Sequence, residues 1–221
     1  MHSVLRRPAT LTAVAIGILL AVVHGRSLMA REAPSYTVLA TRDPFEIRRY
    51  QPHVVAETTV EGSFDAAGDE AFRRLAGFIF GNNDGGRAAA VTTRAAVDGA
   101  AQTAEGTRIA MTVPVSMDRR DGRWVMAFPM PSRFTLATLP KPADPRVTLR
   151  EQPGEIVAAL RFSGRGNESA FEEKAALLRA ALRDADIGTA EPPVLARYDA
   201  PWTPWFLRRN EVLIRLEGWP E

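Results

Sequence analysis

The stretch Phe45 to Val60, FEIRRYQPHVVAETTV, alternates apolar and polar side chains, breaks at Gln51-Pro52 and resumes with a second apolar run. Period-two alternation on both sides of a turn signal predicts strand, turn and strand. The second half repeats the plan in VTLREQPGEIVAALRF, Val147 to Phe162, where Arg49-Tyr50-Gln51-Pro52 returns as Arg150-Glu151-Gln152-Pro153. Each copy leads into a helical pattern. DAAGDEAFRRLAGFIFGNN sets Phe72, Leu75, Ala76 and Ile79 at i, i+3, i+4 and i+7 before Gly81-Asn82-Asn83, which predicts an amphipathic helix with a C-terminal stop. NESAFEEKAALLRAALRDADIG sets Phe171, Ala175, Leu178 and Leu182 on one stripe, with either Asn167 as a simple cap or Ser169 and Glu172 as a capping box.

Strand pairs complete both halves. RIAMTVPVSM and RWVMAFPMP read as a hairpin around a polar turn from Asp118 to Arg123, and ARYDAP and NEVLIRLEG as two strands joined by a Trp-rich corner. Between the first helix and the hairpin, Asp84 to Gly106 is rich in Gly, Ala and Thr and reads as a mobile surface loop. The order is β-β-α-β-β twice. It predicts an α+β domain built by duplication: a curved eight-stranded antiparallel sheet or distorted barrel flanked by two helices.

At 221 residues, 46% of them hydrophobic, the chain can bury one substantial core. Cysteine is absent, which excludes disulfides, thiolate metal sites and covalent haem attachment. His2 and His24 lie near the N-terminus, so His53 is the one imidazole of the predicted domain, and a multi-histidine zinc site is excluded. Residues 1–30 carry Arg6 and Arg7, an apolar run from Leu11 to Val23 and small residues near Gly25 and Ala30. That is the layout of an export signal, with an uncleaved inner-membrane anchor as the alternative. The expected location is the periplasm, and membrane contact is expected only if the leader is retained. Removing residues 1–30 takes away Arg6, Arg7 and Arg26 and no acid, leaving 25 basic against 26 acidic residues. The basic balance of the chain therefore belongs to the leader, and no nucleic-acid partner is expected.

Two apolar features are candidate walls of a binding site. In the hairpin, Ile109, Met111, Val113 and Val115 share one face, as do Trp124, Met126, Phe128 and Met130. Such faces make either a soft wall for an aromatic guest or the core that any half-buried sheet needs. In the corner PWTPWFLRRNEV, the prolines stiffen an apolar connection of Trp202, Trp205 and Phe206 that closes the fold and borders a pocket, while Arg208 or Arg209 meets an acid such as Glu46, Glu57 or Glu211.

Taken together, FEIRRYQPHVVAE, FRRLAGFIFG, IAMTVPV, FPMPSRFTLATLPKPADPRV, RFSG and RYDAPWTPWFLRRNEV, in collinear order from Tyr36 to Leu216, resemble the SOUL or haem-binding protein family, with the domain at 36–218. The resemblance implies a distorted β-barrel flanked by two helices with internal pseudo-twofold symmetry. It is related to the ligand-binding fold of gyrase-inhibitor-like proteins and multidrug-responsive regulators. It also implies non-covalent binding of haem or another tetrapyrrole, a small amphipathic aromatic ligand. Through DEAFRR, the arginine placed near the propionates in animal members resembles Arg73, beside Leu75 and Ala76; a later family lysine has no counterpart near Gly81. The histidine that some members offer to iron falls at Arg49, which leaves His53 as the candidate metal ligand, although a single histidine at a strand start is more often a surface residue.

Three functions are consistent with these readings. The first is a tetrapyrrole carrier, buffer or scavenger without catalytic residues. The second is a small-molecule hydrolase using a buried Glu211 or Glu57 as general base. The third is a sensor of amphipathic ligands that signals to a partner protein.

Overall fold

The computed structural model describes residues 31–85 and 106–219. The predicted leader and residues 86–105 of the predicted loop lie outside the described residues. Nine strands and two helices succeed one another as β1 Tyr36–Arg42, β2 Phe45–Tyr50, β3 His53–Val60, α1 Phe64–Ile79, β4 Val115–Arg120, β5 Arg123–Pro129, β6 Val147–Gln152, β7 Glu155–Phe162, α2 Glu168–Asp184, β8 Thr189–Arg197 and β9 Asn210–Leu216. They form a single antiparallel sheet, curled into an open half-barrel, in the order β1-β2-β7-β9-β8-β4-β5-β3-β6. The α+β class holds, with nine strands in place of eight. The added strand, β1, pairs only with β2 and is largely exposed, so nothing forces an apolar alternation on it.

The two Gln-Pro turns do not close hairpins. β2 pairs with β1 and β7, while β3 pairs with β5 and β6. In the sheet β2 stands second and β3 eighth, yet only Gln51 and Pro52 lie between them; β6 and β7, ninth and third, are joined through Pro153 and Gly154 alone. In a flat sheet those six steps would span about 29 Å at ~4.8 Å each. Three residue steps reach about 11 Å at most. The sheet must therefore curl until its far strands meet at these turns. There Gly154 passes so close that a Cβ would stand 3.1 Å from the Tyr50 carbonyl oxygen and 3.3 Å from the Pro52 ring. The strand order from β2 to β6 reads the same from either end when β2, β3, β4 and β5 exchange with β6, β7, β8 and β9. This symmetry is one of arrangement and does not by itself establish a duplicated sequence.

Both helices cover the same face of the sheet, and the core lies beneath them. On α1 the buried stripe is Phe64, Ala67, Ala71, Leu75, Phe78 and Ile79, so Phe72 sits at its margin and packs its edge on Phe128 with ring centroids 5.5 Å apart. A Schellman stop ends the helix: Gly81, at φ 115°, donates to the Phe78 carbonyl and Asn82 to the Gly77 carbonyl at 2.9 Å. On α2 the stripe is Phe171, Ala175, Leu178 and Leu182, and Asn167 supplies the cap by accepting from the Ala170 amide at 3.2 Å.

The β4–β5 hairpin turns on Asp121-Gly122 alone, with φ 48° and 79°, the positive pair that favours Asp-Gly. Asp118 and Arg120, predicted in the turn, thus extend β4. At its other end β4 starts at Val115, because the preceding segment spends its amides elsewhere: Ile109 donates to the Ile79 carbonyl and Val113 to that of Glu32, both at 2.8 Å. Pro114 has no donor to offer.

Leu75 is fully buried beneath α1. Leu75→Ala should lower unfolding stability by about 3 kcal/mol, the cost of a core cavity, read from a urea midpoint at unchanged slope.

Candidate functional site: the concave face of the sheet

Because side chains alternate along a strand, the face opposite the helices receives every second residue. On β3, Ala56 and Val60 enter the core while His53 and Val55 face the other way; on β5, Met126 and Phe128 enter the core while Ala127 and Pro129 do not. The curl turns this second face into the wall of a cleft of about 440 Å³. Val55, Pro129, Val157, Pro192, Val194 and Leu213 give it an apolar wall, and Asp118, Arg120, Arg150, Glu155 and Arg215 a charged rim. A second cleft of about 600 Å³, bordered by Gln51, Met130, Pro131 and Phe134, shares Pro34, His53 and Pro129 with the first.

His53 stands where the two clefts meet. Its Nδ1 lies 3.0 Å from the Gln51 carbonyl oxygen. A carbonyl only accepts, so Nδ1 carries the proton, and the Nε2 lone pair of the neutral ring is free. Tyr50 lines the first cleft; its hydroxyl is buried, has no partner at good hydrogen-bond geometry, and interacts with Arg48 and Tyr198 beside it. Burial raises its pKa.

Two ionic networks share this face. In one, Glu211 is wholly buried and accepts from Arg48 at 2.7 and 3.2 Å, from Arg209 at 2.7 and 3.0 Å and from the Tyr198 hydroxyl at 2.8 Å. Arg48 also donates to Glu46 at 2.9 Å and lies 4.7 Å from the centre of the Tyr36 ring. Burial pushes the Glu211 carboxyl up, but the hydrogen bonds and charge of Arg48, and after them those of Arg209, outweigh it and hold the group below the usual range. In the other network, Glu57 accepts from Arg150 at 2.7 Å and Asp118 from Arg120 at 2.6 Å, with Arg120 3.6 Å from Glu57. Burial raises Asp118, against the pull of Arg120. Of the two corner arginines, Arg209 is the one that meets an acid; Arg208 donates to the Thr203 and Pro201 carbonyls.

The predicted site residues separate. Leu75, Met126 and Phe128 belong to the core, where Met111 packs against them and Ala76 is half-buried on α1. The two hairpin faces thus serve the core. Met130 is a core residue that also borders the second cleft. Arg73 is exposed and paired with Glu70 through a short contact, and the corner residues Trp202, Trp205 and Phe206 are exposed; none of these lines either cleft. Sequence reasoning missed Asp118, Arg120 and Arg150 as cleft residues. The signal available was their alternation with core residues, which reads as a solvated face until the curl is known.

The family model described as SOUL heme-binding protein matches residues 31–215. No curated protein gives a significant sequence match. Among solved structures, EcmrR in its DNA complex is similar at TM-score 0.55 and 9% identity, over 92% of this chain and 63% of that one. The EcmrR C-terminal domain is similar at TM-score 0.49 and 8% identity, over 82% of this chain and 98% of that one. A hydrolase from Listeria innocua is similar at TM-score 0.49 and 9% identity, over 90% and 98%. At such identities the likeness is one of fold.

Arg48→Ala leaves Glu211 buried with its principal partner gone and should cost about 3 kcal/mol in chemical denaturation. A carboxyl depressed in the folded state gives stability that is fully present above its unfolded value, about 4.3, and lost as pH falls through the folded one. The acid limb of the stability–pH curve should therefore be shallower in Glu211→Gln than in the parent protein, with the two curves converging at the lowest pH.

Proposed function

Because the chain belongs to the SOUL heme-binding protein family, we propose that it binds haem or another tetrapyrrole non-covalently on its concave face, as a carrier, buffer or scavenger. The observation that carries this placement is His53, held by Gln51 at the junction of two clefts with Nε2 unspent. A metal-ligating histidine characteristically has its other nitrogen fixed in this way. His53 would hold the iron, the Val55, Pro129 and Leu213 wall would cover a ring face, and Arg120 and Arg150 would meet carboxylates at the rim. Haem bound there would supply an iron, for which a neutral imidazole such as that of His53 is a suitable ligand. The arginine-flanked apolar run at the N-terminus supports a periplasmic place of action.

A hydrolytic role finds no support in Glu211. A general base near neutral pH needs a raised carboxyl pKa, whereas this one is lowered and its oxygens are already engaged by two arginines and a tyrosine.

Titration with haemin and with metal-free protoporphyrin tests the proposal. His53→Ala should move the Soret band to the position of weakly ligated haemin and weaken haemin binding about tenfold, or ~1.4 kcal/mol, while leaving the metal-free ring nearly unaffected. Arg120→Ala should weaken both ligands and lose its effect once the propionates are esterified. If Arg73→Ala weakens binding and these variants do not, the site lies on α1 instead; no saturable binding of either ring would overturn the function.

A further inference from the structure

Between the last paired residues of β8 and β9, Arg197 and Asn210, the corner exposes Trp202 by 81%, Trp205 by 54%, Phe206 by 58% and Leu207 by 65%. These side chains are displayed by an ordered loop. The Thr203 amide donates to Ala200 at 3.0 Å and that of Leu207 to Pro204 at 2.9 Å, while the Arg208 guanidinium caps the Thr203 carbonyl at 2.7 Å and also that of Pro201. Asp199 holds the Arg209 amide at 2.6 Å, and Pro201 and Pro204 fix two backbone angles. Held by these bonds, the loop has a conformation that keeps four large apolar side chains in water.

From this geometry we propose that the corner docks the protein onto a lipid bilayer by inserting Trp202, Trp205, Phe206 and Leu207 into the membrane–water interface. This does not rest on the tetrapyrrole reading. Three aromatic side chains and a leucine, partly exposed, offer roughly 500 Å². A stable protein complex buries about 800 Å² per partner, and a narrow tip needs a complementary socket to reach that area. A bilayer needs no socket, and indole rings settle at its headgroup level, apolar body inward and N–H toward water. Charge plays a small part, since the carboxylate of Asp199 on the same loop offsets Arg208 and Arg209 is paired with Glu211. The insertion is apolar, and phosphatidylcholine suffices as the target.

The test uses the chain from Arg31 onward, which lacks the apolar run Leu11 to Val23 that would itself enter lipid, with phosphatidylcholine vesicles carrying brominated acyl chains. Among the described tryptophans, Trp124 is buried and Trp219 half-buried, so Trp202 and Trp205 report on the corner. The bromolipids should quench the parent protein's emission, and 0.5 M salt, roughly a 4 Å screening length, should change the partition less than about threefold. Phe206→Ser/Leu207→Ser keeps both reporters and should lower the partition at least tenfold, with an unchanged urea midpoint. Trp202→Ser/Trp205→Ser should abolish the quenching. No quenching in the parent protein, or a partition unaffected by Phe206→Ser/Leu207→Ser, overturns the proposal. So does self-association through the corner without lipid quenching, which would make a second copy the occupant.

Discussion

Two connections of two residues each, Gln51-Pro52 and Pro153-Gly154, hold the whole sheet in its curled form. Each joins strands that stand six places apart in the strand order, and neither can be satisfied by a flat sheet. They cross against one another, with Gly154 backed against the Tyr50 carbonyl and the Pro52 ring. The rest of the molecule depends on that closure. One face, turned outward by the curl, takes α1 and α2 and becomes the core. The other face folds inward and becomes a cleft whose lining includes Tyr50, His53, Gln152 and Glu155, the residues that flank the two turns.

The same closure decides which charges are buried. Glu211 alternates with Val212 on β9, and Arg48 with Ile47 on β2, a pattern that in an open sheet would put both charges in water. Curled, the sheet removes both from solvent, and a desolvated pair survives only when its hydrogen bonds are complete. Glu211 meets that condition with two arginines and Tyr198. Tyr50, buried beside the same groups, has a hydroxyl with no partner at good hydrogen-bond geometry. The concave face thus divides into a structural part, whose polar groups engage one another, and the part around His53, where Nδ1 alone is engaged.

The Trp-rich corner lies at the other end of the β8–β9 pair from the residues of those strands that line the cleft. Ala190 and Val194 of β8 and Leu213 and Arg215 of β9 belong to the cleft, whereas the corner comes after Arg197 and before Asn210. Its aromatic groups therefore neither close the core nor line the cleft. The cleft and the apolar tip are thus two separate surfaces of the same domain.

The sequence by itself determined the secondary elements. Alternation and helical periodicity depend on neighbours a few residues away, so most of the strands, both helices and the α2 stripe of Phe171, Ala175, Leu178 and Leu182 were legible, and with them the α+β class; ARYDAP, read as a strand, meets β8 (Thr189–Arg197) only at Ala196 and Arg197, because Tyr198 to Pro201 already belong to the corner. The family was legible in the collinear motifs from Tyr36 to Leu216. Local pattern also carried its own errors. It placed Phe72 on the α1 stripe, gave the hairpin turn to Asp118–Arg123, and passed over β1, whose only constraint is pairing with β2. Only the tertiary structure decided which face of each strand is core. An alternating strand has two faces, and sequence cannot say whether Met126 and Phe128 meet helices or a ligand, nor whether Glu57, Asp118, Arg120 and Arg150 meet water or one another. That choice belongs to the long-range pairing of β2 with β7 and of β3 with β6. Contacts between residues about a hundred positions apart leave no periodicity in the chain for a local reading to find.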